Sequence, residues 1–214
     1  MKISVIKIAP YLVGVEKSVY EEYEPIVLQQ FSPQLKQDAE KYISDNVDRT
    51  ALKNVDLIIT SAEVRAIQTA EIIVKQLGKE IPIFQTKNLN EVKFSLHKLL
   101  TKEEFETHGD AMVRQRFISA FLKNDLAEPA EEIKGRMDKL IFDVTALSRK
   151  NKILCVSHSF FMKILCAYSK VKNLFSNPEL LQKHIDPTKV LFECCELLEI
   201  DLETFSKHHG EIVA

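Results

Sequence analysis

The sequence predicts an α/β domain: a three-layer α/β/α sandwich with a mostly parallel central sheet. Two observations carry this. Short apolar runs of strand length alternate along the chain with segments of helical periodicity. The run Val55-Asp56-Leu57-Ile58-Ile59 leads directly into a helical pattern, as expected for a strand that feeds a crossover helix. The strand-like segments are residues 2–9, 55–60, 81–86 and 152–157, with a fifth around 190–201.

The helices follow from caps and spacing. Ser32-Pro33 reads as a cap and first-turn pair for a helix through about residue 46. Ala66, Ala70, Ile73 and Leu77 recur at helical spacing over 63–77, with Gly78 as the stop. Met112, Phe117, Ala120 and Phe121 mark a helix over 110–123. Glu128-Pro129 opens another through about Arg149, with Ile133, Met137, Ile141 and Val144 on one face. A last helix, 159–169, follows the strand at 152–157 directly. Residues 10–31 and 87–109 are left as long connections, the kind that serve as lids or binding loops. The first carries Tyr11, Tyr20 and Tyr23 among Glu16, Glu21, Glu22 and Glu24, a solvated acidic cover or a recognition surface.

Bulk properties narrow the function. The 214 residues suit a single domain, 1–214, with a substantial core. A formal net charge of −2 gives no general case for nucleic acid or membrane surfaces as partners. No apolar run approaches the roughly 18 residues of a membrane span. No signal-peptide layout is read at Met1-Lys2-Ile3-Ser4, and the expected location is cytoplasmic. The cysteines, Cys155, Cys166, Cys194 and Cys195, form no Cys-x-x-Cys pair and read as reduced, buried thiols. His208-His209 has no nearby Cys or acid cluster, so no metal and no cofactor is expected. Five glycines, and neither a Walker A nor a GxGxxG pattern, disfavour a Gly-rich phosphate loop.

Two positions stand out chemically. Arg65 falls in the first turns of a helix just past a strand end, where free backbone N–H groups and a guanidinium favour an anion such as phosphate. Glu63 and Glu71 are not at i±3 or i±4 from it, so no helical ion-pair partner is expected. His158 ends the strand 152–157 and precedes a helix, the crevice position where open α/β sheets bind ligands. Lys7, near the end of the first strand, adds positive charge to the same crevice as a point charge rather than a fork. Glu91, flanked by Leu89 and Val92, has surroundings that raise a carboxyl pKa toward general-acid use.

The segment Thr60-Ser61-Ala62-Glu63-Val64-Arg65-Ala66-Ile67-Gln68-Thr69-Ala70 resembles the helix-opening signature of the histidine phosphatase superfamily, the phosphoglycerate-mutase-like proteins. Val156-Ser157-His158-Ser159 is similar to that family's Ser-His-Gly motif, with Ser159 in place of the glycine. Leu89-Asn90-Glu91 resembles the place of its general acid, without the Gly and Trp that often follow, and Phe31-Ser32-Pro33-Gln34-Leu35 its helix entry. The resemblance implies catalytic roles for Arg65, Glu91 and His158, and phosphate contacts for Lys7, Arg65 and His158. The first strand departs from the pattern. In Lys7-Ile8-Ala9, lysine aligns with the motif's arginine, and Ile8 takes the place of the nucleophilic histidine. Isoleucine cannot accept a phosphoryl group. The implied function is a phosphate-binding crevice in a protein inactive or weakly active on phosphomonoesters, acting as a binding module. The alternative is a phosphomonoesterase using another histidine, His97 or His108, or direct water attack. Mutase activity is disfavoured by the same gap. The implied partner is a phosphorylated small molecule or phosphoprotein, and a homodimer is an open option.

Overall fold

The computed structural model describes residues 2–8, 20–148, 152–171, 173–184 and 191–201. Five strands form one sheet: β1 (Lys2–Lys7), β2 (Leu57–Ser61), β3 (Ile83–Thr86), β4 (Ile153–Ser157) and β5 (Leu197–Asp201). Eight α-helices are described: α1 (Tyr20–Val27), α2 (Ala39–Asn46), α3 (Arg49–Leu52), α4 (Val64–Leu77), α5 (Leu96–Leu99), α6 (Lys102–Leu122), α7 (Ala130–Ser148) and α8 (Ser159–Lys170). The strand order is β3-β2-β4-β1-β5, parallel throughout except for β5, which runs antiparallel to β1.

Strand alternation splits the core into two apolar layers. Ile3, Val5, Leu57, Ile59, Ile153 and Cys155 face one layer, shared with α5, α6, α7 and α8. Ile6, Ile8, Ile58, Leu154 and Val156 face the other, where Ala39 and Ile43 of α2 and Ala66, Ala70 and Ile73 of α4 cover them. Both faces are therefore dry, which is why β2 and β4 read as continuous apolar runs and are buried at every position. The predicted three-layer α/β/α class is the observed one.

Three local expectations are corrected. Ser32-Pro33 starts no helix; α2 begins at Ala39. Pro33 biases its predecessor toward extended backbone, and the stretch docks on α4 instead. The Ser32 hydroxyl accepts the Val64 N–H (2.9 Å), and the Leu35 N–H donates to Gln68 Oε1 (2.9 Å). Ser32 is thus a cap, supplied to a helix far away in sequence. The stretch 87–109 is largely helical. Its overlooked signal is the capping box Thr101-x-x-Glu104, in which Thr101 Oγ1 accepts the Glu104 N–H (3.2 Å) and Glu104 accepts the Thr101 N–H (2.8 Å). The connection 10–31 holds α1. Glu24 there is no solvated cover: its carboxylate accepts the Ser95 hydroxyl (2.8 Å) and the Leu96 and His97 N–H groups at the start of α5. Tyr11, Glu16, His208 and His209 lie outside the described residues.

Glycine decides two geometries. Gly78 ends α4 with a left-handed φ of 63°. Gly109 kinks α6 (φ 56°, ψ −146°), which turns the segment holding Asp110, Val113 and Arg114. No atom lies within 4 Å of a Cβ built at either position, so any cost of substitution is backbone strain alone. Gly78→Ala should cost roughly 1 kcal/mol. Gly109→Ala should cost more, about 2–3 kcal/mol, because its conformation is nearly exclusive to glycine. Urea denaturation of the two variants checks the ranking.

Candidate functional site

The chemistry-bearing residues meet at the carboxyl ends of the parallel strands. Lys7 ends β1 and Ile8 follows it, Ser61 ends β2, Glu91 follows β3, and His158 follows β4. Lys7, Ile8, Arg65, Glu91 and His158, all five residues singled out from the sequence, border a cavity of about 340 Å³. Among the described residues, His158 is the one imidazole in that wall; His97 and His108 are not part of it. The His97 ring instead meets Tyr20, with Nδ1 2.8 Å from the phenol oxygen.

Arg65 and His158 are almost fully buried, at 3% and 2% exposure. Arg65 does have an acidic partner: its guanidinium pairs with the equally buried carboxylate of Glu63. The i±3/i±4 argument fails because Glu63 is not in the helix. It is the N-cap residue, with extended backbone (φ −81°, ψ 137°), and its side chain leaves in a direction that helical spacing does not describe. Burial raises the Glu63 pKa even though Arg65 pulls it down.

The proton arrangement around His158 can be derived. The amide oxygen of Asn90 is identified by the Ala62 N–H that points at it (3.0 Å), since that N–H can only donate. Ser61 therefore gives its single hydroxyl proton to Asn90 Oδ1 (2.9 Å) and takes the Glu63 N–H (3.3 Å) on its oxygen. His158 Nε2 lies 2.8 Å from the same oxygen and must be a donor. Neutral His158 is thus the Nε2–H tautomer. Burial, followed by the positive charges of Arg65, Arg136 and Lys7, holds its pKa well below the usual imidazole range.

Glu91 is a different case from a free general acid. Its carboxylate accepts the Phe160 N–H (3.1 Å) and Phe161 N–H (2.8 Å) of α8, and the Val92 N–H (3.0 Å). The start of α8, a place whose free N–H groups favour an anion, already holds an internal one. Burial still prevails over these three donors, and the pKa is pushed up to about 6. Lys7 Nζ donates to the Phe192 carbonyl (2.7 Å), which answers how a lysine is tolerated at this strand end.

Sequence reasoning missed the groups that hold the site together. Ser61 and Asn90 were inside the quoted motifs without a role. Arg136 had no signal beyond being a charge beside the apolar positions of α7. Its Nη1 donates to the carbonyls of Lys87 (3.2 Å), Asn88 (3.1 Å) and Asn90 (3.1 Å), and its guanidinium pairs with Glu128 (2.6 and 3.0 Å). Glu128 in turn accepts the Lys93 N–H (3.1 Å). The segment bearing Asn90 and Glu91 is thereby clamped from α7, and Gln29, in the turn after α1, accepts from Asn90 Nδ2 (3.1 Å). Lys36, Asp110 and Arg114 also border the cavity and were not foreseen. No group of three or more His, Cys, Asp or Glu side chains among the described residues is arranged to hold a metal ion. No described helix is long and apolar enough to cross a membrane. The four cysteines are free, and burial pushes the Cys155 thiol up to about 12.

Fold and strand-end site together match a family profile. Residues 22–189 match the histidine phosphatase superfamily (branch 1), and the chain belongs to it. The match begins after β1, so it does not include Lys7 and Ile8. No curated protein sequence matches the chain significantly. Solved structures share the fold at low identity. A mycobacterial glucosyl-3-phosphoglycerate phosphatase is 12% identical, with a TM-score of 0.60 over 92% of this chain and 90% of that one. A phosphoglycerate mutase from Bacillus anthracis is 14% identical, with a TM-score of 0.55 over 97% and 96%. A mutant phosphoserine phosphatase from Entamoeba histolytica, in complex with phosphoserine, is 18% identical, with a TM-score of 0.51 over 92% and 89%.

Two measurements check this description. Arg136→Met should destabilise the fold by about 3 kcal/mol in urea, because it strands the Glu128 carboxylate. Carboxyl and imidazole NMR titrations should place Glu91 near pH 6 and show His158 neutral, as the Nε2–H tautomer, at pH 7. A carboxyl raised on folding binds its proton more tightly in the native than in the unfolded state. Its contribution to stability is present below its ordinary pKa near 4.5 and is lost as pH rises through about 6. That loss should be no more than about 2 kcal/mol, and it should be missing from the pH–stability curve of Glu91→Gln.

Proposed function

We propose that this protein binds the phosphoryl group of a phosphorylated small molecule or phosphoprotein in the strand-end cavity without transferring it efficiently. It acts as a binding module built on a phosphatase fold. Lys7 supplies positive charge, Arg65 a guanidinium paired with Glu63, and His158 an imidazole on the same wall. An entering dianion beside His158 raises its pKa from that lowered position. The observation that carries the reading is Ile8. This aliphatic side chain, 2% exposed, stands in the cavity wall at the end of β1, where the family pattern places its nucleophile.

The chemical reason is the size of the task. Phosphomonoester hydrolysis without a catalyst is among the slowest reactions known, requiring accelerations up to about 10²¹. A covalent phosphoenzyme divides that barrier into two smaller ones, and loss of a nucleophile in other enzymes costs roughly 10⁶ in turnover. Positioning by Arg65 and His158, with a proton from Glu91 below about pH 6, leaves a weak residual rate.

With p-nitrophenyl phosphate, the wild-type chain should turn over barely above background. Ile8→His, alone or with Lys7→Arg, should raise the rate at least tenfold. A wild-type rate typical of phosphatases that Arg65→Ala and His158→Ala abolish would reverse this reading in favour of an active enzyme. No gain from Ile8→His would count against the placement of the vacant position.

A further inference from the structure

Beyond the phosphoryl-binding end, on whose assignment this inference rests, the cavity wall bears on what is attached to the phosphoryl group. Tyr23 and Ile26 come from α1, Phe94 from the segment before α5, Val113 from α6, Phe160 from α8, and Leu191 from the chain before β5. Five of these are buried: Ile26 at 3%, Phe94 at 0%, Val113 at 1%, Phe160 at 7% and Leu191 at 8% exposure. The two phenylalanine rings are held in place. Phe160 stacks on Phe117 with centroids 4.0 Å apart and meets Phe94 edge-on at 5.5 Å. Separate elements thus bring apolar side chains to the border of one volume.

Ile26, Phe94, Val113, Phe160 and Leu191 give nothing to the hydroxyls of a sugar or glycerate. Each hydroxyl moved there from water loses hydrogen bonds that are not replaced. A ring or short alkyl group gains by the same transfer. The charged groups Lys36 and Asp110 on the cavity border are solvent-exposed. Arg114, half-buried one residue beyond Val113, and Ser159 at the start of α8 are the polar parts of this wall. The volume, about 340 Å³, lies at the small end of ligand sites and suits a phosphoryl group with one modest substituent.

We infer that the cavity takes phosphomonoesters whose esterified group is small and apolar, aryl or short alkyl, in preference to phosphorylated polyols and hydroxy acids. Calorimetric titration of the full chain with inorganic phosphate, phenyl phosphate, glycerol 3-phosphate and 3-phosphoglycerate tests this. Phenyl phosphate should bind at least tenfold more tightly than inorganic phosphate, a difference of about 1.4 kcal/mol. The two polar esters should stay within about threefold of inorganic phosphate. Tyr23→Ala should lower the ratio of phenyl phosphate affinity to inorganic phosphate affinity at least threefold. If either polar ester binds as tightly as phenyl phosphate, or phenyl phosphate binds no better than inorganic phosphate, the apolar preference is overturned while phosphoryl binding stands. If inorganic phosphate and all three esters fail to bind, the phosphoryl-binding reading itself falls, and this inference with it.

Discussion

A guanidinium that is 3% exposed has to be neutralised within the protein, and in this chain Glu63 does it. That requirement organises much of what surrounds the cavity. Because Glu63 occupies the N-cap position of α4, its carboxylate sits between β2 and the segment after β3. It accepts the Glu91 N–H at 3.2 Å and stands 3.5 Å from His158 Nε2. The buried charge pair therefore also sets where Glu91 begins and adds a negative field beside the imidazole. Removing either partner would strand a charge in the interior, which costs far more than the intact pair contributes.

The site is shaped as much by its supports as by the groups facing the cavity. Ser61 distributes one proton and two acceptor positions among Asn90, Glu63 and His158, and so settles the tautomer of the histidine. Arg136 ties three carbonyls of the 87–90 segment to Glu128. Glu91 spends its acceptor capacity on the first amides of α8. These hydrogen bonds fix the polar groups around the cavity before anything enters it.

The fold was legible because its signals are local. Strands buried on both faces need unbroken apolar runs, and β2 and β4 have them. The stop of α4 at Gly78 needed only a residue at ease with positive φ. Misreadings arose where a local signal was redirected by a distant partner. Ser32 looked like the cap of the next helix and is the cap of α4. Glu24 looked solvated and caps α5. A side chain's hydrogen-bond capacity can be read from its type, but its recipient is chosen by whichever unsatisfied N–H the fold brings near.

The sequence by itself determined the layer architecture, the family, and the five residues that the strand ends bring to one cavity. It did so because hydrophobic periodicity and motif spacing are properties of neighbouring residues. Only the tertiary structure decided that Arg65 is paired, that His158 is neutral with its proton on Nε2, that Glu91 already occupies the helix start, and that Phe94, Val113 and Phe160 wall the rest of the cavity. Those are matters of desolvation and of partners dozens of positions apart. Their energies depend on distances that no local pattern encodes.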